Sequence, residues 1–211
     1  MNDRIPKVDS NTQSLVTWTN GKFEDLAGKL SWEQHNLSSK ITISDSTYGH
    51  IYVGGSAWYR ASCNTPNELT LDAAIYWDGK NLERTCWFGL GSFTGGAGGD
   101  GEAFFISSWR DENRDEVAID RINHGTDYTP LKVGWNHVAA TLQGQRGKLF
   151  VNGVLTGFTD YPRRFSSHFC IARCIIGDYV QTSPGRNIAW VRLSNCIRYT
   201  SNFDAGGANV A

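Results

Sequence analysis

The chain has 211 residues, of which 40% are hydrophobic and 19% charged, and a formal net charge of -1. These values exclude a disordered chain and allow one large domain whose core needs no disulfide staples. A near-neutral balance gives no basic field for a phosphate backbone, so no nucleic-acid partner is expected. No run approaches the roughly 18 apolar residues of a membrane span, so no membrane insertion is expected either.

In chain order, residues 1–10 read as a polar N-terminal tail without the charged-then-apolar pattern of a secretory signal. Phe23, Leu26 and Leu30, between Gly21 and Trp32, have spacing compatible with one short helical turn. Asn36-Leu37-Ser38 fits a glycosylation sequon, read as chance without a secretory signal. Leu69, Leu71, Ala73, Ile75 and Trp77 alternate along one face, the mark of a half-buried strand, and Asp78-Gly79 turns the chain. Cys86 to Leu90 alternates again and enters a glycine-rich loop, Gly95 to Gly101. Strands are expected over Glu102–Trp109 and Glu116–Ile122, joined by the charged turn Asp111–Asp115. Gly134 to Leu142 is a strand, Gln143 to Gly147 a turn and Lys148 to Val151 a strand. Asn152-Gly153 is a strong two-residue hairpin signal, and Val154 to Phe158 returns. Ile171–Ile176 and Ile188–Leu193 close the series, and residues 205–211 read as a C-terminal tail. Many short strands between turns predict an all-β fold, a sandwich of two antiparallel sheets, over residues 11–204.

Gly134-Trp135-Asn136-His137-Val138-Ala139-Ala140-Thr141, followed by Lys148-Leu149-Phe150-Val151-Asn152-Gly153-Val154, resembles the signature hairpin of LamG-like, concanavalin A-like domains. Ile188-Ala189-Trp190-Val191-Arg192-Leu193, then Ile197-Arg198-Tyr199-Thr200-Ser201-Asn202-Phe203, resembles the closing strand of such domains in tailed-phage structural proteins. The resemblance spans roughly residues 12–204 and implies a jelly-roll sandwich. Asn195-Cys196 departs from the small step usual in those phage relatives, and Cys170 and Cys174 are unusual.

Five cysteines, an odd number, cannot all pair within one chain. Together with the absent signal pattern, they favour folding in a reducing compartment. Cys170 and Cys174, four apart on a strand, would be about 13 Å apart, too far for a disulfide, so both read as buried free thiols.

Glycoside hydrolysis needs two carboxylates about 5 Å or more apart. The sandwich glucanases carry them on an E-x-D-x-x-E strand, whose spacing Asp115 to Asp120 does not match. Glu116 and Asp120 share a strand face and read as an exposed row. None of the five histidines sits in a nucleophile motif, and His137 reads as a structural hydrogen-bonding residue. The glycine loop precedes no helix and so is no phosphate cradle. Its Asp100 and Glu102 are the candidate oxygen donors for calcium, common in this superfamily. Arg163-Arg164 reads as a solvated loop.

The expectation is therefore a non-catalytic virion structural or decoration protein, assembled in the host cytoplasm with itself or other virion proteins as partners. It would act as a homo-oligomer and attach to host glycans. The alternatives are a cellular carbohydrate-binding lectin, secreted without a recognisable signal, and a polysaccharide-active enzyme. Candidate sugar-stacking rings, near predicted strand ends, are Trp58, Tyr59, Trp77 and Trp109.

Overall fold

The computed structural model describes residues 5–19, 22–35, 41–44, 50–53, 58–64, 66–77, 79, 85–91, 104–111, 114–120, 129–160, 168–171, 173–176, 179–182 and 186–205. The strands, in order, are β1 (Thr12–Thr19), β2 (Lys22–Asp25), β3 (Trp32–His35), β4 (Ile41–Ser44), β5 (His50–Val53), β6 (Trp58–Ser62), β7 (Glu68–Trp77), β8 (Thr85–Gly91) and β9 (Phe104–Asp111). They continue as β10 (Arg114–Asp120), β11 (Thr129–Pro130), β12 (Gly134–Gln143), β13 (Arg146–Val151), β14 (Val154–Asp160), β15 (His168–Ile171), β16 (Arg173–Ile176), β17 (Tyr179–Thr182) and β18 (Arg186–Ser194). No helix occurs among the described residues, so none is long and apolar enough to cross a membrane.

Two antiparallel sheets form the layers. The nine-stranded sheet runs β14-β13-β12-β7-β18-β1-β2, and the first residues of β18 pair with β5, which pairs with β4. The seven-stranded sheet runs β11-β10-β9-β8-β15-β6-β3, and β16 and β17 make a separate two-stranded ribbon. The all-β, two-sheet sandwich expected from the strand pattern is what forms.

Period-two alternation fills the space between the sheets. The nine-stranded sheet sends Val16, Trp18, Leu69, Leu71, Ala73, Ile75, Val138, Ala140, Leu142 and Val191 inward. Tyr59, Phe88, Ile106, Phe169 and Ile171 meet them from the seven-stranded sheet. Ala73 and Ala140 keep the inner face of the long strands low, so large rings fit opposite. A bulge between Ile188 and Trp190 lets Ile188, Val191 and Leu193 all face the core although their spacing breaks strict alternation.

The hairpin at Asn152-Gly153 forms as its sequence dictates. Asn152 has φ 51°, Gly153 has φ 81°, and Val151 pairs with Val154 across the turn. Two consecutive positive φ angles make the twist-matched turn that Asn-Gly favours. The Asn152 amide N–H donates to the His137 carbonyl at 2.8 Å, and its side chain accepts from the His137 amide at 3.0 Å.

Three expectations are corrected. The Phe23–Leu26–Leu30 spacing does not make a helical turn. Phe23 lies in β2 opposite Trp18, with its ring stacked on Tyr59 at 4.5 Å, while Leu26 is largely exposed. The Asp25 carboxylate ends β2 by accepting from the Leu15 and Ala27 amides, the Ser14 hydroxyl and the Trp32 indole. The single strand expected from Ile171 to Ile176 is two, so Cys170 lies in the sandwich and Cys174 in the ribbon. The N-terminal residues are not all tail: Ile5 packs on the cluster of Leu15, Ala74 and Trp190, and Asp9 forms a bidentate pair with Arg198 at 2.8 and 2.9 Å.

The C-terminal segment, residues 195–205, closes over the outer face of the nine-stranded sheet. Phe203 donates its amide to the Gly153 carbonyl at 2.9 Å, and Asn202 accepts the Leu155 amide at 2.9 Å. A Cβ on Gly153 would run into the Phe203 carbonyl oxygen. Gly153→Ala is therefore expected to cost about 3 kcal/mol, from left-handed strain plus loss of this closure. Gly144, with φ +60° and nothing within reach of an added Cβ, should lose only about 1 kcal/mol as Gly144→Ala. Urea denaturation of the two variants measures the difference.

Candidate functional site

The strongest polar cluster lies beneath that C-terminal segment. Asp72, in the middle of β7, pairs in register with Arg192 on β18 and with Ala139 on β12. Asp72 is fully buried. Arg192 donates through Nε to Oδ1 at 2.9 Å and through Nη2 to Oδ2 at 2.6 Å. The Tyr199 hydroxyl donates to Oδ2 at 2.9 Å and accepts from Arg192 Nη2 at 3.0 Å. His137 Nε2 reaches the same oxygen at 3.3 Å, which gives His137 the structural role its sequence suggested.

An aromatic roof seals the cluster. Tyr199 stacks on Phe203 at 3.9 Å, and the His137 and Phe150 rings pack against both. Full burial alone would raise the Asp72 pKa, but the His137 hydrogen bond and the Arg192 charge outweigh it and hold the carboxyl well below its usual range. Burial likewise pushes the Tyr199 phenol up. A carboxylate, an imidazole, a phenol and a guanidinium within contact of each other look like catalytic equipment. Here they share one carboxylate beneath the Tyr199–Phe203 stack and hold the C-terminal segment in place.

The outer face of the seven-stranded sheet differs. Register places Glu33, Arg60, Cys170, Gly89, Phe105 and Asp120 in one row across β3, β6, β15, β8, β9 and β10. Cys170 and Gly89 in the middle are buried. Toward β3 the row opens: the Glu33 side chain is 56% exposed and that of Arg60 30%. Arg60 donates through both Nε and Nη2 to Glu33 Oε2, each at 2.7 Å. His168, half-buried on β15, has its pKa lowered by burial and by Arg60, against a smaller opposing pull from Glu33. The imidazole is therefore neutral at pH 7.

The four candidate residues come from both sheets. Tyr59 is a core residue, 1% exposed, stacked on Phe23 with Trp18 at its edge, so neither ring face is open to a sugar. Burial raises its phenol pKa. Trp77 ends β7 in the other sheet, half-buried against the core. Trp58 and Trp109 hold strand positions in the seven-stranded sheet, next to Tyr59 and three residues from Ile106, both core-facing. Positions 58 and 109 lie on β6 and β9, at least three strand spacings, or about 14 Å, apart. Position 58 is two residues, about 7 Å, from Arg60. The side chains of Trp58 and Trp109, like those of Glu116 and Asp120, lie outside the described set.

Asp100, Glu102 and Arg163-Arg164 fall outside the described residues. Among the described residues no three His, Cys, Asp or Glu side chains converge as metal ligands. Cys63, Cys170 and Cys196 form no disulfide among the described residues, and burial pushes the Cys63 thiol up to about 12. Sequence reasoning missed Glu33, Arg60 and His168 because no motif links them and only strand register brings them to one face.

A family model described as the concanavalin A-like lectin/glucanases superfamily matches residues 45–183. The fourth domain of an extracellular arabinanase from Geobacillus stearothermophilus, in complex with arabinotriose, superposes with a TM-score of 0.61 at 14% identity, covering 94% of this chain and 96% of that one. The binding domain of botulinum neurotoxin DC, in complex with SialylT, gives 0.58 at 10% identity over 95% of this chain and 50% of that one. A mutant Trypanosoma rangeli sialidase displaying trans-sialidase activity gives 0.60 at 15% identity over 97% of this chain. The chain spans half the length of the toxin domain and 32% of the sialidase. No curated protein sequence matches it. At these identities the likeness shows the fold, the concanavalin A-like sandwich that the hairpin signature implied.

The buried cluster yields a stability test. Asp72→Asn leaves the Arg192 charge uncompensated and should lower stability by about 3 to 5 kcal/mol at neutral pH. The folded-state pKa of Asp72 lies below its unfolded value. Its contribution is thus complete above the unfolded value, about 3.9, and is lost as pH falls through the folded one. Urea titrations across pH should show the variant's deficit constant above about pH 5 and shrinking in strong acid.

Proposed function

We propose that this chain, which belongs to the concanavalin A-like lectin/glucanases superfamily, is a non-catalytic carbohydrate-binding module that uses the β3–β6–β15 side of its seven-stranded sheet. The observation that carries the reading is the contrast between the two outer faces. The nine-stranded sheet carries its own C-terminal segment, closed on Asp72. The seven-stranded sheet presents an accessible Glu33–Arg60 pair beside a neutral His168 and beside strand position 58, where the sequence supplies a tryptophan. A planar donor–acceptor pair next to an aromatic position suits a sugar, with polar hydroxyls on its edge and apolar C–H groups on its face. The fold's occurrence in an arabinanase domain in complex with arabinotriose and in a toxin binding domain in complex with SialylT supports the same reading.

The proposed setting is a virion: a structural or decoration protein assembled in the host cytoplasm, self-associating or joined to other virion proteins, that attaches to surface glycans. It rests on the Ile188–Leu193 and Ile197–Phe203 segments, whose sequence resembles tailed-phage structural proteins. A second reading, a secreted cellular carbohydrate-binding module, is favoured by the arabinanase domain, which matches over nearly the whole of both chains.

A glycan array with the purified protein is expected to give dose-dependent hits. Arg60→Ala should weaken them at least about tenfold, the scale of a hydrogen bond to a charged group. Tyr199→Phe should lower thermal stability and leave the hits unchanged. Absence of hits would overturn the binding role, and release of reducing sugar that Glu33→Gln or Glu116→Gln abolishes would overturn the non-catalytic one. Mass photometry should find a defined oligomer for a virion component.

A further inference from the structure

We infer that Asn152 is a covalent modification site: a deamidation site that the closed fold protects, and whose conversion frees the C-terminal segment.

An Asn-Gly step is open to this chemistry because glycine has no Cβ to shield its nitrogen. The Gly153 nitrogen, its proton lost to base, attacks Asn152 Cγ. The new N–C bond closes a cyclic imide as the Cγ–Nδ2 bond breaks and ammonia leaves. Water then opens the ring at either carbonyl and leaves aspartate or isoaspartate.

The folded hairpin opposes the first step. Asn152 has φ 51°, in the left-handed region, where ψ is about +47°. The Gly153 nitrogen then lies almost opposite Cβ about the Cα–C bond, whereas ring closure needs the two on the same side. The Asn152 side chain is held at both ends: Oδ1 accepts from the His137 amide and Nδ2 donates to Asn136 Oδ1, each at 3.0 Å. Turning the peptide between Asn152 and Gly153 over breaks the turn that pairs Val151 with Val154. It also pulls the Gly153 carbonyl from the Phe203 amide, which donates to it at 2.9 Å. Attack therefore waits for the hairpin tip and the segment on it to open.

The product does not fit back. Asn136 is fully buried and its amide is oriented by the main chain. Its Nδ2 donates to the Lys132 and Gly134 carbonyls at 2.8 and 3.0 Å, and its Oδ1 accepts the Lys132 amide at 3.0 Å. Asn136 thus presents an oxygen to position 152. After deamidation a carboxylate oxygen faces it, so a hydrogen bond becomes a contact between two acceptors, one of them charged. Turning the Asn136 amide around would give up its two bonds to main-chain carbonyls. Isoaspartate adds a methylene to the main chain of a two-residue turn. Gly153 has no room for that shift, since even a Cβ there would run into the Phe203 carbonyl oxygen. With ammonia gone, the change is one-way.

Peptide mapping by mass spectrometry follows position 152 in mildly alkaline buffer, in the folded protein and in the same protein held unfolded in urea. The folded protein is expected to deamidate at least about tenfold more slowly, because reaction proceeds through opened molecules. Equal rates would overturn the inference. The consequence is read by hydrogen exchange on Asn152→Asp. The Phe203 and Leu155 amides, which donate to Gly153 and Asn202, should exchange at least about tenfold faster than in wild type, while the β8–β9 ladder keeps its protection. Wild-type exchange at Phe203 and Leu155 would show that conversion leaves the segment closed, and the inference would fall. Should the variant not fold, wild-type protein deamidated in urea and returned to buffer gives the same reading, with a fully protected Phe203 amide as the result that overturns it.

Discussion

Asp72 points away from the core, toward the face of the nine-stranded sheet that would otherwise meet water, and the arrangement of both chain ends follows from it. It is nevertheless fully buried, and a buried carboxylate survives only when paired and hydrogen-bonded. Arg192 supplies the pair from the next strand, and the Tyr199 hydroxyl and His137 ring complete the shell. Tyr199 belongs to the C-terminal segment, so the segment and the ion pair require each other. Without the roof the pair would be wet and weak; without the pair the roof would cover an uncompensated charge. Arg198, bound to Asp9 and to Ser194, extends the dependence to the N-terminal residues. Both ends of the described chain are thus committed to one face of one sheet.

That commitment decides where function can sit. An outer sheet face is the broad, gently curved surface that a sandwich offers a partner, and one of the two is occupied by the chain itself. The same roof accounts for residues that would otherwise invite a catalytic reading. His137, Tyr199 and Asp72 are within hydrogen-bond reach, as in a proton-relay site, yet Asp72 and His137 are buried under the roof and share a single carboxylate. The accessible polar chemistry considered for binding lies on the other sheet, at Glu33 and Arg60.

The sequence disclosed features whose physics is local. The Gly134–Val154 hairpin was legible down to its turn, because Asn-Gly, period two and the flanking alanines all state the same geometry. The division into strands was legible wherever alternation ran long, as in β7 and β12. Short segments were not. Phe23, Leu26 and Leu30 fit a helical spacing, but the register with Trp18 and the stacking on Tyr59 decide the matter, and both are tertiary. The tryptophan and tyrosine positions were legible as aromatic and not as core or surface. Tyr59, for one, is a core residue, which only the packing of β6 against Trp18 and Phe23 decides. The closing segment carried its own sequence signature, but nothing in that signature revealed that it folds back on a carboxylate 127 residues away.

The proposed site was illegible for a more general reason. Glu33 and Arg60 are 27 residues apart, and His168 comes from a third strand much later in the chain. A motif is a spacing along the chain, whereas sheet topology places β15 between β6 and β8 and so brings these residues to one corner. The same geometry is the ground on which binding, and not bond cleavage, is proposed. A general acid needs a carboxyl that keeps its proton, and a nucleophile needs a carboxylate aimed at the substrate. Glu33 Oε2 is held against the Arg60 guanidinium at 2.7 Å. Such a group is suited to accept hydrogen bonds from a ligand that leaves unchanged, and that is the chemistry on which the proposed recognition of hydroxyls depends.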